Sequence, residues 1–178
     1  MAKFVVTAGH SDTDPGAVAN GVTESEIAKD MRNMIAGKLR SRGHEVITDG
    51  TGSYNQPLNE AIKLVKQGDL AIEIHCNAAG TSSACGVETI SLPKHKELSQ
   101  RISKVIANTT GDKIRGDKGW IDQSQSHRGK LGYVNAGGII IELFFLTNKQ
   151  SLDAYQSVKW VVASEITAVL IDWVEGNH

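Results

Sequence analysis

The sequence predicts an α/β fold: a single domain on a mostly parallel, twisted central sheet of about six strands, flanked by helices on both faces. Two observations predict it. Short apolar runs of strand length alternate along the chain with segments whose apolar residues recur every three to four positions, the pattern of strands joined by crossover helices. The length, 178 residues with no internal repeat or linker, suits one domain. At that size a chain hides roughly 70% of its unfolded surface.

The first strand is the apolar run Phe4-Val5-Val6, ending near Ala8. Residues Gly9 to Val22 carry Gly, Asp, Asn and Pro and read as a loop. Thr23-Glu24-Ser25-Glu26 fits a capping box, with Thr23 as N-cap and Glu26 three residues on. The helix it opens has Ile27, Met31, Met34, Ile35 and Leu39 on one face and stops at Gly43. His44 to Thr48 is the second strand. Pro57 opens a short helix running to Gly68, and Asp69 to His75 is the third strand. Gly86 to Leu92 is the fourth. An amphipathic helix spans Lys94 to Asn108, with Leu98, Ile102, Val105 and Ile106 on its apolar side. Gly111 to Gly137 is long for a loop without structure, so a strand is expected in it, around Leu131-Gly132-Tyr133-Val134. Gly138 to Phe145, the most apolar stretch, is a central strand, and Leu152 to Val174 a closing helix.

Composition narrows the function. Nineteen basic and twenty acidic residues leave a formal charge of −1, which argues against a dedicated nucleic-acid or anionic-membrane binder. No apolar run approaches the ~20 residues of a membrane span. The first eight residues lack the ~7–15-residue apolar stretch of a secretory signal peptide. Cys76 and Cys85 are too few for a disulfide framework or a cysteine-rich zinc site, and are expected to be free thiols.

Ligands of α/β sheets sit outside the carboxyl ends of the strands. There His10 follows the first strand, His75 ends the third, and Glu142 lies within Ile139-Ile140-Ile141-Glu142-Leu143-Phe144-Phe145. A carboxylate among such neighbours is costly to bury unless paired or metal-linked, and burial lifts its pKa toward that of a general base. The alternative is a solvated strand face, which the lack of alternation disfavours. Glu24 at a helix start is explained by the helix dipole alone. Yet Glu26 already fills the capping position, and the loop back from His10 allows both side chains to meet one ion. His10 or His75 taken singly reads as a hydrogen-bonded structural histidine. Together, two imidazoles and one carboxylate are the ligand set of a catalytic zinc with one open position, where water becomes a nucleophile near neutral pH.

Ala8-Gly9-His10, Asp14-Pro15-Gly16-Ala17, Gly21-Val22-Thr23-Glu24, Ile74-His75-Cys76-Asn77-Ala78 and Ile141-Glu142-Leu143-Phe144-Phe145-Leu146-Thr147-Asn148 occur in that order across nearly the whole chain. This series resembles the motifs of the zinc-dependent N-acetylmuramoyl-L-alanine amidases of bacterial walls and phage endolysins. The resemblance implies zinc held by His10, Glu24 and His75, with Glu142 as general base and acid. The reaction it implies is hydrolysis of the amide between the muramic acid lactyl group and L-alanine in peptidoglycan. Two departures stand out. Glu73 occupies a position where the family often has Ser; it is expected to orient His75 or to face solvent. The family's arginine in the helix before the third strand is absent between Gln56 and Asp69. Asn77 is expected to brace the site and His127-Arg128 to touch substrate.

The implied whole is a monomer whose residues 1–178 form one catalytic domain without a separate wall-binding domain. It would be a phage endolysin held in the host cytoplasm until a membrane lesion admits it to the periplasmic wall. A bacterial autolysin or recycling amidase is one alternative, a carboxypeptidase-like zinc peptidase another. A wall-binding domain without activity is a third, which the buried acid at 142 disfavours.

Overall fold

The computed structural model describes residues 1–126 and 131–176. β1 (Lys3–Ala8) leads through a small hairpin, β2 (Val18–Ala19) and β3 (Val22–Thr23), into α1 (Glu24–Ser41). β4 (Glu45–Thr48), α2 (Leu58–Leu64), β5 (Leu70–Asn77), β6 (Glu88–Ser91) and α3 (Lys96–Thr110) follow. The chain closes with β7 (Trp120–Asp122), α4 (Gly132–Asn135), β8 (Ile139–Phe145) and α5 (Lys149–Gly176). The six-stranded sheet runs β4-β1-β5-β8-β6-β7. Its neighbours are parallel except β6 and β8, which pair antiparallel.

The two faces of the sheet are unequal. Alternate residues of β1, β5 and β8 (Phe4, Val6, Ile72, Ile74, Ile141, Leu143) pack into the larger core, which α1, α3 and α5 complete. The opposite residues Val5, Ala71 and Ile140 meet Ala61, Val65, Tyr133 and Val134 from the short helix layer. β1, β5 and β8 lie side by side, so the strand ends that carry the predicted functional residues are neighbours. The expected capping box forms: Thr23 Oγ1 accepts from the Glu26 amide at 3.2 Å, and Glu26 Oε2 accepts from the Thr23 amide at 2.9 Å. That fixes Glu24 as the first residue of α1.

One expectation needs correction. The strand predicted at Leu131 to Val134 is instead the single turn α4. Tyr133 and Val134 are consecutive and both buried, which a strand facing one core does not allow. Gly138 makes room for the ring, since a Cβ there would lie 2.3 Å from Tyr133 Cε1. The strand of this region is β7, three residues at the sheet edge, too short to leave a periodic signal. His127 and Arg128 lie outside the described residues. Cys76 is buried, Cys85 partly exposed, and both are free thiols. No helix among the described residues is long and apolar enough to cross a membrane.

Candidate active site

The end of β1 is locked before His10 is reached. The Gly9 amide donates to Ile74 O at 2.8 Å, and Asn55 Nδ2 donates to the carbonyls of Ala8 (2.9 Å) and His10 (2.8 Å). His10 takes a left-handed backbone, φ 68°, which turns its ring back over the sheet edge. Two glycines leave space for the rings. A Cβ on Gly9 would lie 2.2 Å from His75 Cε1, and one on Gly16, itself at φ +66°, 2.5 Å from His10 Cδ2.

The side chains converge on Glu24. His10 Nε2 lies 2.9 Å from Glu24 Oε2, and His75 Nδ1 lies 2.9 Å from Glu24 Oε1. One nitrogen or oxygen from each of His10, Glu24 and His75 falls within 4.8 Å of the others. The glutamate is held from behind by backbone amides, Ala17 N to Oε2 (3.1 Å) and Cys76 N to Oε1 (3.1 Å). Each imidazole has its other nitrogen on a second carboxylate: His10 Nδ1 on Asp14 Oδ2 at 2.8 Å, His75 Nε2 on Glu73 Oε1 at 2.9 Å. Glu73 is 1% exposed and its remaining oxygen accepts from Thr7 Oγ1 at 3.1 Å. It therefore orients His75 from the interior and does not face solvent.

The electrostatics follow. Burial alone would lower the His75 pKa, but its hydrogen bonds to Glu24 and Glu73 outweigh this and lift it to about 10. The hydrogen bond to Glu24, opposed by burial and helped by Asp14, raises His10 as well. Burial would raise Glu24, yet the two histidines hold it well below the usual carboxylate range. Two imidazoles and a carboxylate converge, and each imidazole is oriented by an acid on its far nitrogen, the arrangement usual around a bound metal. The donor set fits a divalent zinc-like ion.

Glu142 sits on β8 directly beside His75 in the parallel register, with Glu88 of β6 opposite it on the other side. It is 3% exposed and shares a face with Glu73 and His75. Its neighbours Asn77, Glu88 and Arg115 help to line a cavity of about 300 Å³ that opens on the β6–β7 side. Asn77 braces Glu88, donating to its Oε1 at 2.9 Å, and makes no hydrogen bond to the three converging residues among those described.

One supporting group escaped the sequence reading. Arg32 of α1 is fully buried; it donates to Asp49 Oδ1 (3.2 Å) and Asn55 Oδ1 (2.6 Å) and thus stabilises the anchor of His10. Its signal was available: it lies four residues after Ala28 and three before Ile35, on the buried stripe of the helix. It supplies a buried ion pair in a chain that lacks an arginine between Gln56 and Asp69.

The family profile described as N-acetylmuramoyl-L-alanine amidase matches residues 4–172. A probable autolysin of Staphylococcus aureus is 33% identical over 175 residues, covering 85% of this chain and 34% of its own length. The chain thus spans about a third of that curated relative. A crystal structure of a putative N-acetylmuramoyl-L-alanine amidase from Neisseria meningitidis superposes with TM-score 0.89 at 41% identity, over 98% of this chain and 96% of that one. The catalytic domain of an amidase from Paenibacillus polymyxa, at 20% identity and TM-score 0.84 over 98% and 99% of the two chains, shares the fold.

Proposed function

The chain belongs to the N-acetylmuramoyl-L-alanine amidase family, and on that premise we propose that it is a zinc-dependent hydrolase of peptidoglycan, cutting the amide between the muramic acid lactyl group and L-alanine. The observation that carries the proposal is the convergence of His10 Nε2, Glu24 and His75 Nδ1 beside the buried acid Glu142.

His10, Glu24 and His75 would hold a zinc ion, which would supply Lewis acidity and lower the pKa of water at the site. The protein's own residues do the rest. Asp14 and Glu73 hold the two imidazoles with Nε2 of His10 and Nδ1 of His75 turned inward. Glu142 takes a proton from the attacking water and returns it to the alanine nitrogen as the amide breaks. The near-complete enclosure of Glu142 keeps bulk water from short-circuiting that transfer.

We read the activity as lytic and residues 1–178 as one catalytic domain acting as a monomer, with a phage endolysin as the first setting. The 33% identity to a probable autolysin favours a bacterial autolytic role as the second. Digestion of isolated peptidoglycan by zinc-loaded protein should free new N-terminal alanine. Release of a C-terminal residue instead would mark a carboxypeptidase and end the proposal. Glu142→Gln should keep its zinc and turn over at least ~10²-fold more slowly; near-wild-type rates would move the base elsewhere.

A further inference from the structure

We propose that the cavity beside Glu142 receives the leaving peptide and that Arg115 is its specificity residue, reading the free carboxylate of the residue that follows the first alanine. This rests on the amidase reading of the site. If Glu142 protonates the departing nitrogen, whatever is attached to that nitrogen lies on the Glu142 side of the scissile bond. The converging histidines and Glu24 occupy the β1–β5 side. The β8–β6–β7 side holds the cavity of about 300 Å³, at the small end of ligand sites. Its walls include Ile90, Ile121, Leu131 and Ile140, which suit an alanine methyl group.

Arg115 stands at this cavity in a built position. Its Nε donates to Glu88 Oε2 at 2.7 Å, and its guanidinium lies 4.9 Å from the centre of the Phe145 ring. Its aliphatic stem crosses Gly86, where a Cβ would come within 2.7 Å of Arg115 Cγ and the backbone is at φ +121°. Glu88 is itself fixed by Asn77 Nδ2 on its other oxygen, so its charge is satisfied and it serves to aim the guanidinium. Among the described residues the two terminal NH2 groups of Arg115 make no hydrogen bond, and the side chain is 43% exposed. A fixed guanidinium with its outer edge free is the geometry that takes a carboxylate through two parallel bonds. In the stem peptide the first anionic group beyond the alanine is the carboxylate of the second residue. Where that group is amidated the paired interaction is lost.

The test compares two synthetic substrates, muramoyl-L-alanyl-D-glutamate and its α-carboxamide, on zinc-loaded wild type, Arg115→Gln and Arg115→Lys. Wild type should prefer the acid by about ten- to a hundred-fold in kcat/KM, mostly through KM. Arg115→Gln should bring the ratio close to one, and Arg115→Lys should leave it in between. The ratio is taken on one preparation, so partial misfolding of a variant cancels. Calorimetry adds a readout independent of turnover: the product L-alanyl-D-glutamate should bind wild type and lose affinity in Arg115→Gln. Equal use of both substrates by wild type, or an unchanged preference in Arg115→Gln, overturns the assignment of Arg115. Failure of wild type to cleave either substrate at the muramoyl–alanine bond overturns the amidase reading. In that case dipeptide binding that depends on Arg115 still supports the pocket, and its absence removes both.

Discussion

Replacing Glu73 probes how the protein prepares His75 for an ion. Its Oε1 accepts from His75 Nε2 at 2.9 Å and its Oε2 from Thr7 Oγ1 at 3.1 Å, with the carboxylate fully enclosed. Such a partner fixes the tautomer that leaves Nδ1 free to ligate and adds negative charge behind the ring; its loss costs about 10–100-fold in metal affinity. At 1.36 kcal/mol per decade that is about 1.4–2.7 kcal/mol. Glu73→Gln keeps an oxygen acceptor for Nε2–H and removes only the charge, so its zinc affinity should fall about ten-fold. Glu73→Leu leaves a buried Nε2–H without acceptor, itself worth about 1–3 kcal/mol, and should fall about a hundred-fold. The assay is competition for zinc with a chromophoric chelator at pH 7.5, with thermal unfolding of the same samples to show that each variant is folded. A folded Glu73→Leu protein that binds zinc as tightly as wild type would refute this role. Equal losses in the two variants would show that charge alone matters.

Three further outcomes follow from the geometry. Gly9→Ala places a methyl group against the His75 ring, 2.2 Å from Cε1; equilibrium dialysis should show zinc binding abolished, and retained binding would mean β1 can move aside. Without metal, His75 titrates near 10 in the folded chain against 6.5 unfolded, so the folded state holds the extra proton. Its contribution to apo stability is complete below pH 6.5 and disappears as pH rises toward 10; urea midpoints that stay flat over this window would contradict it. Zinc must displace that proton, so zinc affinity should rise over the same range. Arg32→Met strands Asp49, whose pKa burial lifts to about 6 even beside the guanidinium. Chemical denaturation should show a loss of about 3–5 kcal/mol, partly recovered by adding Asp49→Asn, and an undiminished midpoint in the single variant would discount the ion pair.

Much of this site is legible in the sequence because its parts are set by local rules. The Thr23–Glu26 cap is a four-residue pattern, and it alone places Glu24 at the helix start. The apolar stretch around Glu142 stands out because a strand buried on both faces shows no alternation. What stayed hidden depends on contacts between distant residues. Whether Glu73 met solvent or His75 was decided by Thr7 from a neighbouring strand, 66 positions away. Arg32 is stabilised by Asp49 and Asn55, both outside its helix, so its buried position could be marked by periodicity but not its partners. β7 and α4 are three and four residues long, too short for an amphipathic pattern to repeat often enough to separate strand from turn.

The strict division of β5 between its two faces has a further consequence. Ile72, Ile74 and Cys76 point into hydrocarbon while Glu73 and His75 point the other way. Insertion or deletion of one residue within this strand would send two charged groups into the oily layer and bring isoleucines up against His10 and Glu24. Length variation among descendants of this chain should therefore accumulate in the hairpin and the β6–β7 connection, while β5 tolerates substitutions but no change in its count of residues.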